Sequence, residues 1–158
     1  MKRDIINFSL FFVLSLTLMS VSTMAQATNI TTTDKIPLSG NLAACNGENV
    51  SYEGSQNRLL HYTISSSGQV NIKVSISFNL KGVGDTTGAT YVANGAQEAS
   101  RHFDSTDDAP FNLIITGHLN LNGRGIVPNK ILRVVEHITI NANGDVTSTK
   151  LELTAECK

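Results

Sequence analysis

The chain has 158 residues, with 12 Lys and Arg against 13 Asp and Glu, four His, two Cys and 41% hydrophobic residues. A formal charge of −1 without basic runs leaves no electrostatic footprint for nucleic acid or for an anionic membrane surface. Two cysteines are too few for a disulfide scaffold, and the length suits one ordinary domain that buries its own core.

Residues 1–27 have the order of a secretory signal peptide. Lys2 and Arg3 form a positive start, Ile5 to Met19 is apolar and uncharged, and Ala25-Gln26-Ala27 places small residues at −3 and −1 of a cleavage site. An uncleaved anchor is the alternative, but about 20 apolar residues are needed to span a bilayer and this run is shorter and broken by serines. Cleavage is expected after Ala27, with Ala25 (Thr23 at −3) as the competing site. It removes two basic residues and one acidic residue, so the mature charge becomes −2. No second apolar run is long enough to span a bilayer. The expected destination is secreted or periplasmic.

Residues 28–35 are polar and Thr-rich and read as a flexible lead-in to a single domain over 36–158. From Ile36 onward, period-two alternation dominates, which is the strand signature. Ile36 to Cys45 and Val50 to Tyr52 read as short strands. Ser66-Ser67-Gly68 fits a three-residue hairpin loop, which sets Ile64 opposite Val70, Tyr62 opposite Ile72 and Leu60 opposite Val74. The clearest strand is Val70, Ile72, Val74, Ile76, Phe78 and Leu80 on one face, with polar residues between them. Tyr91 to Ala93 and Gln97 to Phe103 read as a pair separated by Asn94-Gly95. Phe111, Leu113, Ile115, Leu119 and Leu121 give a further strand. Asn143-Gly144 predicts a type I′ hairpin, which sets Ala142 opposite Asp145, Val134 opposite Leu153, Leu132 opposite Ala155 and His137 opposite Lys150. The loops at 81–89, 104–110 and 122–130 are rich in Gly, Asp and Pro. The expectation is an all-β fold of eight or nine antiparallel strands, a sandwich or a small up-and-down barrel.

In an exported chain, Cys45 and Cys157 are expected to pair as one disulfide closing nearly the whole domain, worth roughly 4–5 kcal/mol in the chain-entropy account. Two free thiols are the alternative. His61, His102, His118 and His137 lack the short spacing of zinc ligands, and His61, His118 and His137 have polar-face parity. No nucleophile-turn signature surrounds any serine. The acidic 104–108 segment reads as turn material, with calcium binding left open. Asn29-Ile30-Thr31 and Asn49-Val50-Ser51 match the N-glycosylation pattern, which matters only in a eukaryotic source. No metal or cofactor is expected.

One residue breaks the local rule. Glu136 has the apolar-face parity of Leu132, Val134, Ile138 and Ile140, and a core carboxylate is costly unless paired. Arg58 shares the inward parity of Leu60, Tyr62 and Ile64 and is a candidate partner. Glu136, Arg58 and Tyr62 are therefore the candidate ligand-binding residues. A structural ion pair, or a face open to solvent, is the plainer reading of the same pattern.

Three stretches carry a resemblance: Cys45-Asn46-Gly47-Glu48, Thr87-Gly88-Ala89-Thr90-Tyr91, and His137-Ile138-Thr139-Ile140-Asn141-Ala142-Asn143-Gly144 with Glu156-Cys157 at the close. The chain resembles, from about Leu38 to Cys157, a family of small exported bacterial proteins of unknown function. The resemblance implies a bacterial secreted or periplasmic setting and one domain, and carries no activity, substrate or catalytic residue. The function expected is a non-enzymatic exported β-domain binding a small apolar ligand or a macromolecular partner. A structural or adhesive module, and a secreted hydrolase using His102 or the acidic loop, are the alternatives.

Overall fold

The computed structural model describes residues 27–43, 48–124 and 129–156. Residues 1–26 of the signal-like segment and both cysteines of the expected disulfide lie outside them. Seven strands follow one another: β1 (Thr28–Ala43), β2 (Asn49–Ile64), β3 (Val70–Gly84), β4 (Thr90–Phe103), β5 (Phe111–Gly123), β6 (Lys130–Ile140) and β7 (Val146–Glu156). Each pairs antiparallel with the next in the spatial order β1 to β7, giving one up-and-down sheet curled into a nearly closed barrel. A single 3₁₀ turn at Thr106–Asp108 interrupts it, and among the described residues no helix is long and apolar enough to cross a membrane.

Period-two alternation places the core. On β3 every even-numbered residue from Val70 to Gly84 is buried, while the residues between them, among them Asn71, Lys73 and Asn79, face outward. Tyr62, Phe111, Leu132, Val134 and Ile140 complete the interior from β2, β5 and β6, each with no measurable exposure.

The two hairpins around the long strands carry the registers expected for them. Ile64 pairs with Val70, Tyr62 with Ile72 and Leu60 with Val74, through a loop in which Gly68 (φ +86°) is left-handed. At the second hairpin the turn type differs from the expectation. Type I′ needs positive φ at both central residues, yet only Gly144 (φ +86°) has it. The Gly144 N–H donates to the Asn141 carbonyl and the Asn141 N–H to Asp145, so the loop holds three residues, Ala142 to Gly144. Asn141 opposes Asp145, and Asp145 is therefore not opposite Ala142. A bulge between Thr139 and Ile140 absorbs the offset, which restores Val134 opposite Leu153, Leu132 opposite Ala155 and His137 opposite Lys150.

The strand count is seven rather than eight or nine, and the sheet curls as a barrel rather than splitting into a sandwich. Two expectations account for the excess. Asn94-Gly95 is not a turn: β4 runs straight through it, paired to Asn79 and Phe78 of β3, because a continuous partner strand outweighs a local turn preference. Likewise 50–52 and the segment leading to Ile64 belong to one strand. Residues 28–35 are not a lead-in but the first half of β1, laddered from Thr28 against Ile64. Over this stretch the inward positions of β1 are at most half-buried, so its pattern lacks strong apolar alternation.

The β4–β5 ladder is short. Only Tyr91–Asn94 pairs with Asn120–Gly123, and the strands fork below that point. Within the fork Gln97 lies over Gly117, where a Cβ would collide with its amide, and its Nε2 donates to the His118 carbonyl at 3.0 Å. Phe103 stacks on Phe111 at 4.5 Å between ring centroids, holding the fork near the loop.

Candidate functional site

Glu136 stands in mid-β6, inward by parity, and is fully buried. Its Oε2 accepts from Gln56 Nε2 at 2.7 Å, and its Oε1 lies 3.7 Å from Arg58 Nη1. Gln56 and Arg58 are alternate residues of β2 and are themselves buried. The Arg58 guanidinium then reaches both free edges of the sheet. Nη2 donates to Asp34 Oδ2 of β1 at 2.7 Å, and Nη1 to Thr149 Oγ1 of β7 at 2.8 Å. The Arg58 side chain is therefore a polar clasp across the gap between β1 and β7. Two buried atoms of the cluster, Arg58 Nε and Glu136 Oε1, have no hydrogen-bond partner.

Of the three candidate residues, the structure brings Glu136 and Arg58 together. Tyr62 is buried on the same strand as Arg58, but its hydroxyl donates to the Ala142 carbonyl at 2.8 Å and its ring packs against Gly144 and, at 6.1 Å, Phe111. It pins the β6–β7 hairpin to the barrel. The Glu136 carboxylate meets protein groups rather than an apolar cavity, because Gln56 and Arg58 offset the desolvation that an isolated carboxylate would suffer. Gln56 and Asp34 escaped the sequence reading. Gln56 was legible by parity with Arg58, whereas Asp34 was hidden in the supposed lead-in.

Burial pushes the Glu136 carboxyl above the usual carboxylate range, and the Gln56 bond and the Arg58 charge only partly offset it. The folded protein thus holds this proton to higher pH than the unfolded chain, whose Glu titrates at about 4.3. The stability this supplies is complete below that value and is lost as pH rises through the folded pKa. We expect the stability difference between wild type and Glu136→Gln, read by urea titration, to change across that window. A constant difference from acid to neutral pH would contradict it.

A second polar cluster lies near the start of β2. Glu48 is buried, with Oε1 accepting from the Thr87 N–H at 2.9 Å and the Thr87 hydroxyl at 2.6 Å, and with the Tyr91 hydroxyl 3.3 Å from Oε2. Burial, and then the Glu48 carboxylate, push the Tyr91 phenol up. Lys130 Nζ sits 5.7 Å from the Tyr91 ring centroid. Glu48 therefore meets the Thr87–Tyr91 stretch quoted above and ties the turn after β3 to β4.

The histidines face outward. His61 bonds Thr31 Oγ1 at 3.0 Å, His102 bonds Asn71 Oδ1 at 2.8 Å, and His118 approaches Glu156 at 3.3 Å. In the acidic loop Ser105 caps the 3₁₀ turn, with Asp108 Oδ2 accepting from the Ser105 N–H, so that carboxylate serves local structure. Among the described residues no three His, Cys, Asp or Glu side chains gather as metal ligands. Comparison of the chain with family models, with curated proteins and with solved structures finds no match.

Proposed function

We propose that this chain is an exported, non-enzymatic β-barrel module that binds a macromolecular partner at the gap between β1 and β7. The observation that carries the reading is the pair of free edges. Among the described residues every other neighbouring pair of strands is laddered, whereas β1 and β7 approach one another without a ladder and are bridged by the Arg58 side chain. Unpaired strand edges are templates for pairing with another chain. The interior carboxylate is engaged by protein groups, which favours this reading over a small apolar ligand.

Export rests on the signal-like first 27 residues. Cleavage after Ala27 makes Thr28, the first residue of β1, the mature N-terminus. The proposed Cys45–Cys157 disulfide joins segments that follow β1 and β7, which point the same way along the barrel. The test places a photo-cross-linking side chain at Lys35 or Lys150, on the two edges, and for comparison at exposed Val83 of β3, in the exporting host. We expect a polypeptide adduct from the edge positions, carried by a mature chain that begins at Thr28 and is two mass units lighter than its reduced form. Adducts from Val83 with none from either edge would overturn the location of the site.

A further inference from the structure

One nitrogen bridges the seam to β7. Asp34, which accepts from Arg58 Nη2 at 2.7 Å, is the residue opposite Arg58 on β1, so that bond stays within the β1–β2 ladder. The bond that reaches β7 runs from Arg58 Nη1 to Thr149 Oγ1 at 2.8 Å. Among the described residues it is the one side-chain hydrogen bond joining β1 or β2 to β7. Thr149 shares the inward parity of Leu151 and Leu153 yet is exposed, because it stands at the margin where the ladder is missing.

The same nitrogen has a second acceptor beside it. Glu136 Oε1 lies 3.7 Å from Nη1, beyond hydrogen-bond range, and accepts from no other group, whereas Oε2 is taken by Gln56. A shift of about 1 Å would bring Nη1 onto Oε1 and take it off Thr149. Protonated, Glu136 competes weakly for this donor. Ionised, it accepts a charge-assisted bond roughly twice as strong as a neutral one. Burial holds the proton above the usual carboxylate range, so the exchange falls where pH rises through that raised value. The other charged groups nearby are Asp34 and Lys35 of β1 and Asp145 of the last turn, which line an open depression of about 630 Å³ beside Arg58. None of the three is buried, and Asp34 keeps its hold on Nη2. The neighbouring register positions on β3, β4, β5 and β7 carry Ile76, Gln97, Ile115 and Leu151, none of which titrates.

We propose that Glu136 and Thr149 compete for Arg58 Nη1, and that ionisation of Glu136 draws this nitrogen inward, uncouples β7 from Arg58 and exposes the β7 edge to the partner. The proposal rests on the macromolecular reading above and adds the regulation of that site. In acid the seam is clasped, and it loosens as pH rises through the titration of Glu136. Asp34 keeps the guanidinium on β1 in both states, so the element released is β7. One hydrogen bond separates the two forms, which sets the scale at roughly fivefold in the fraction of open edge.

The test follows two quantities by NMR in the full mature protein from acid to neutral pH. One is the carboxyl carbon shift of Glu136, the other the amide exchange of β7, corrected for intrinsic rates and taken relative to β3. We expect β7 protection to fall about threefold to tenfold, with the same midpoint as the Glu136 shift. Glu136→Gln should keep β7 protected at every pH, and Thr149→Val should hold it at the lower level at every pH. Thr149 is exposed, so its variant keeps the test decisive if Glu136→Gln fails to fold. Protection that stays flat while Glu136 titrates, or a pH dependence that survives in Thr149→Val, overturns the proposal. The photo-cross-linking side chain at Lys150 separates this proposal from the reading it rests on. We expect a lower adduct yield in the host from Glu136→Gln than from wild type, and equal yields overturn the regulation. Exchange that follows Glu136, with no edge adduct from any variant, overturns the partner site and supports the proton-linked seam alone.

Discussion

Arg58→Met is expected to destabilise the protein by about 3–5 kcal/mol near neutral pH, because it leaves the Glu136 carboxylate buried without its cation. Gln56 alone remains as a donor to that carboxylate. The loss should shrink as pH falls, since a protonated Glu136 needs no counter-charge, and the folded state already favours that form. Adding Glu136→Gln should recover most of the loss, whereas a loss due to the packing of the Arg58 stem would be indifferent to both. Urea titrations of the two single variants and the double variant, at acid and neutral pH, form the cycle that separates these outcomes. Additive effects with no pH dependence would show that the Arg58–Glu136 approach contributes little. The Arg58→Met variant also removes the side-chain bridge between β1 and β7, because the same side chain bonds Asp34 and Thr149. Faster hydrogen exchange along β7 than in β3 is the accompanying sign.

Phe111→Ala should cost about 3–5 kcal/mol, the range for removing a fully buried aromatic ring. Phe111 lies between Phe103 at 4.5 Å and Tyr62 at 6.1 Å, so its loss opens a space bounded by three strands that cannot easily collapse. The position matters because the β4–β5 ladder ends at Asn94 and Asn120. Below those residues the fork is held by the Phe103–Phe111 stack and the Gln97 bond to His118. The melting temperature should fall by roughly ten degrees, given the 2–4 °C per kcal/mol typical of somewhat larger chains. Amides of residues 95–103 should lose protection before those of β3. A shift of under about 1 kcal/mol would show that the wall collapses around the missing ring and that the stack does not hold the fork.

Much of the architecture is local and was legible in the chain. Alternation from Val70 to Leu80 sets the two faces of β3, since a strand turns successive side chains to opposite sides. Gly68 makes its hairpin through a left-handed residue, a property of one glycine and its neighbours. The Asn143-Gly144 register came out as expected from Thr139 onward for a reason the chain did not disclose. A three-residue loop and a bulge offset one another, because the apolar faces of β6 and β7 must both meet the core.

What the sequence by itself determined is the all-β class, the inward face of most strands and the anomaly of Glu136 and Arg58 on that face. These follow from period and parity, which act over a few residues. Tertiary structure alone decided the continuity of β4 through Asn94-Gly95 and the place of the Thr-rich 28–35 segment as an edge strand. It also set the number of strands, and with it the common direction of β1 and β7. Each depends on which partner strand lies alongside, a contact between residues far apart in the chain. Glu136 and Gln56 stand 80 positions apart, and only the curl of the sheet brings that carboxylate, Arg58 and the two free edges into one cluster.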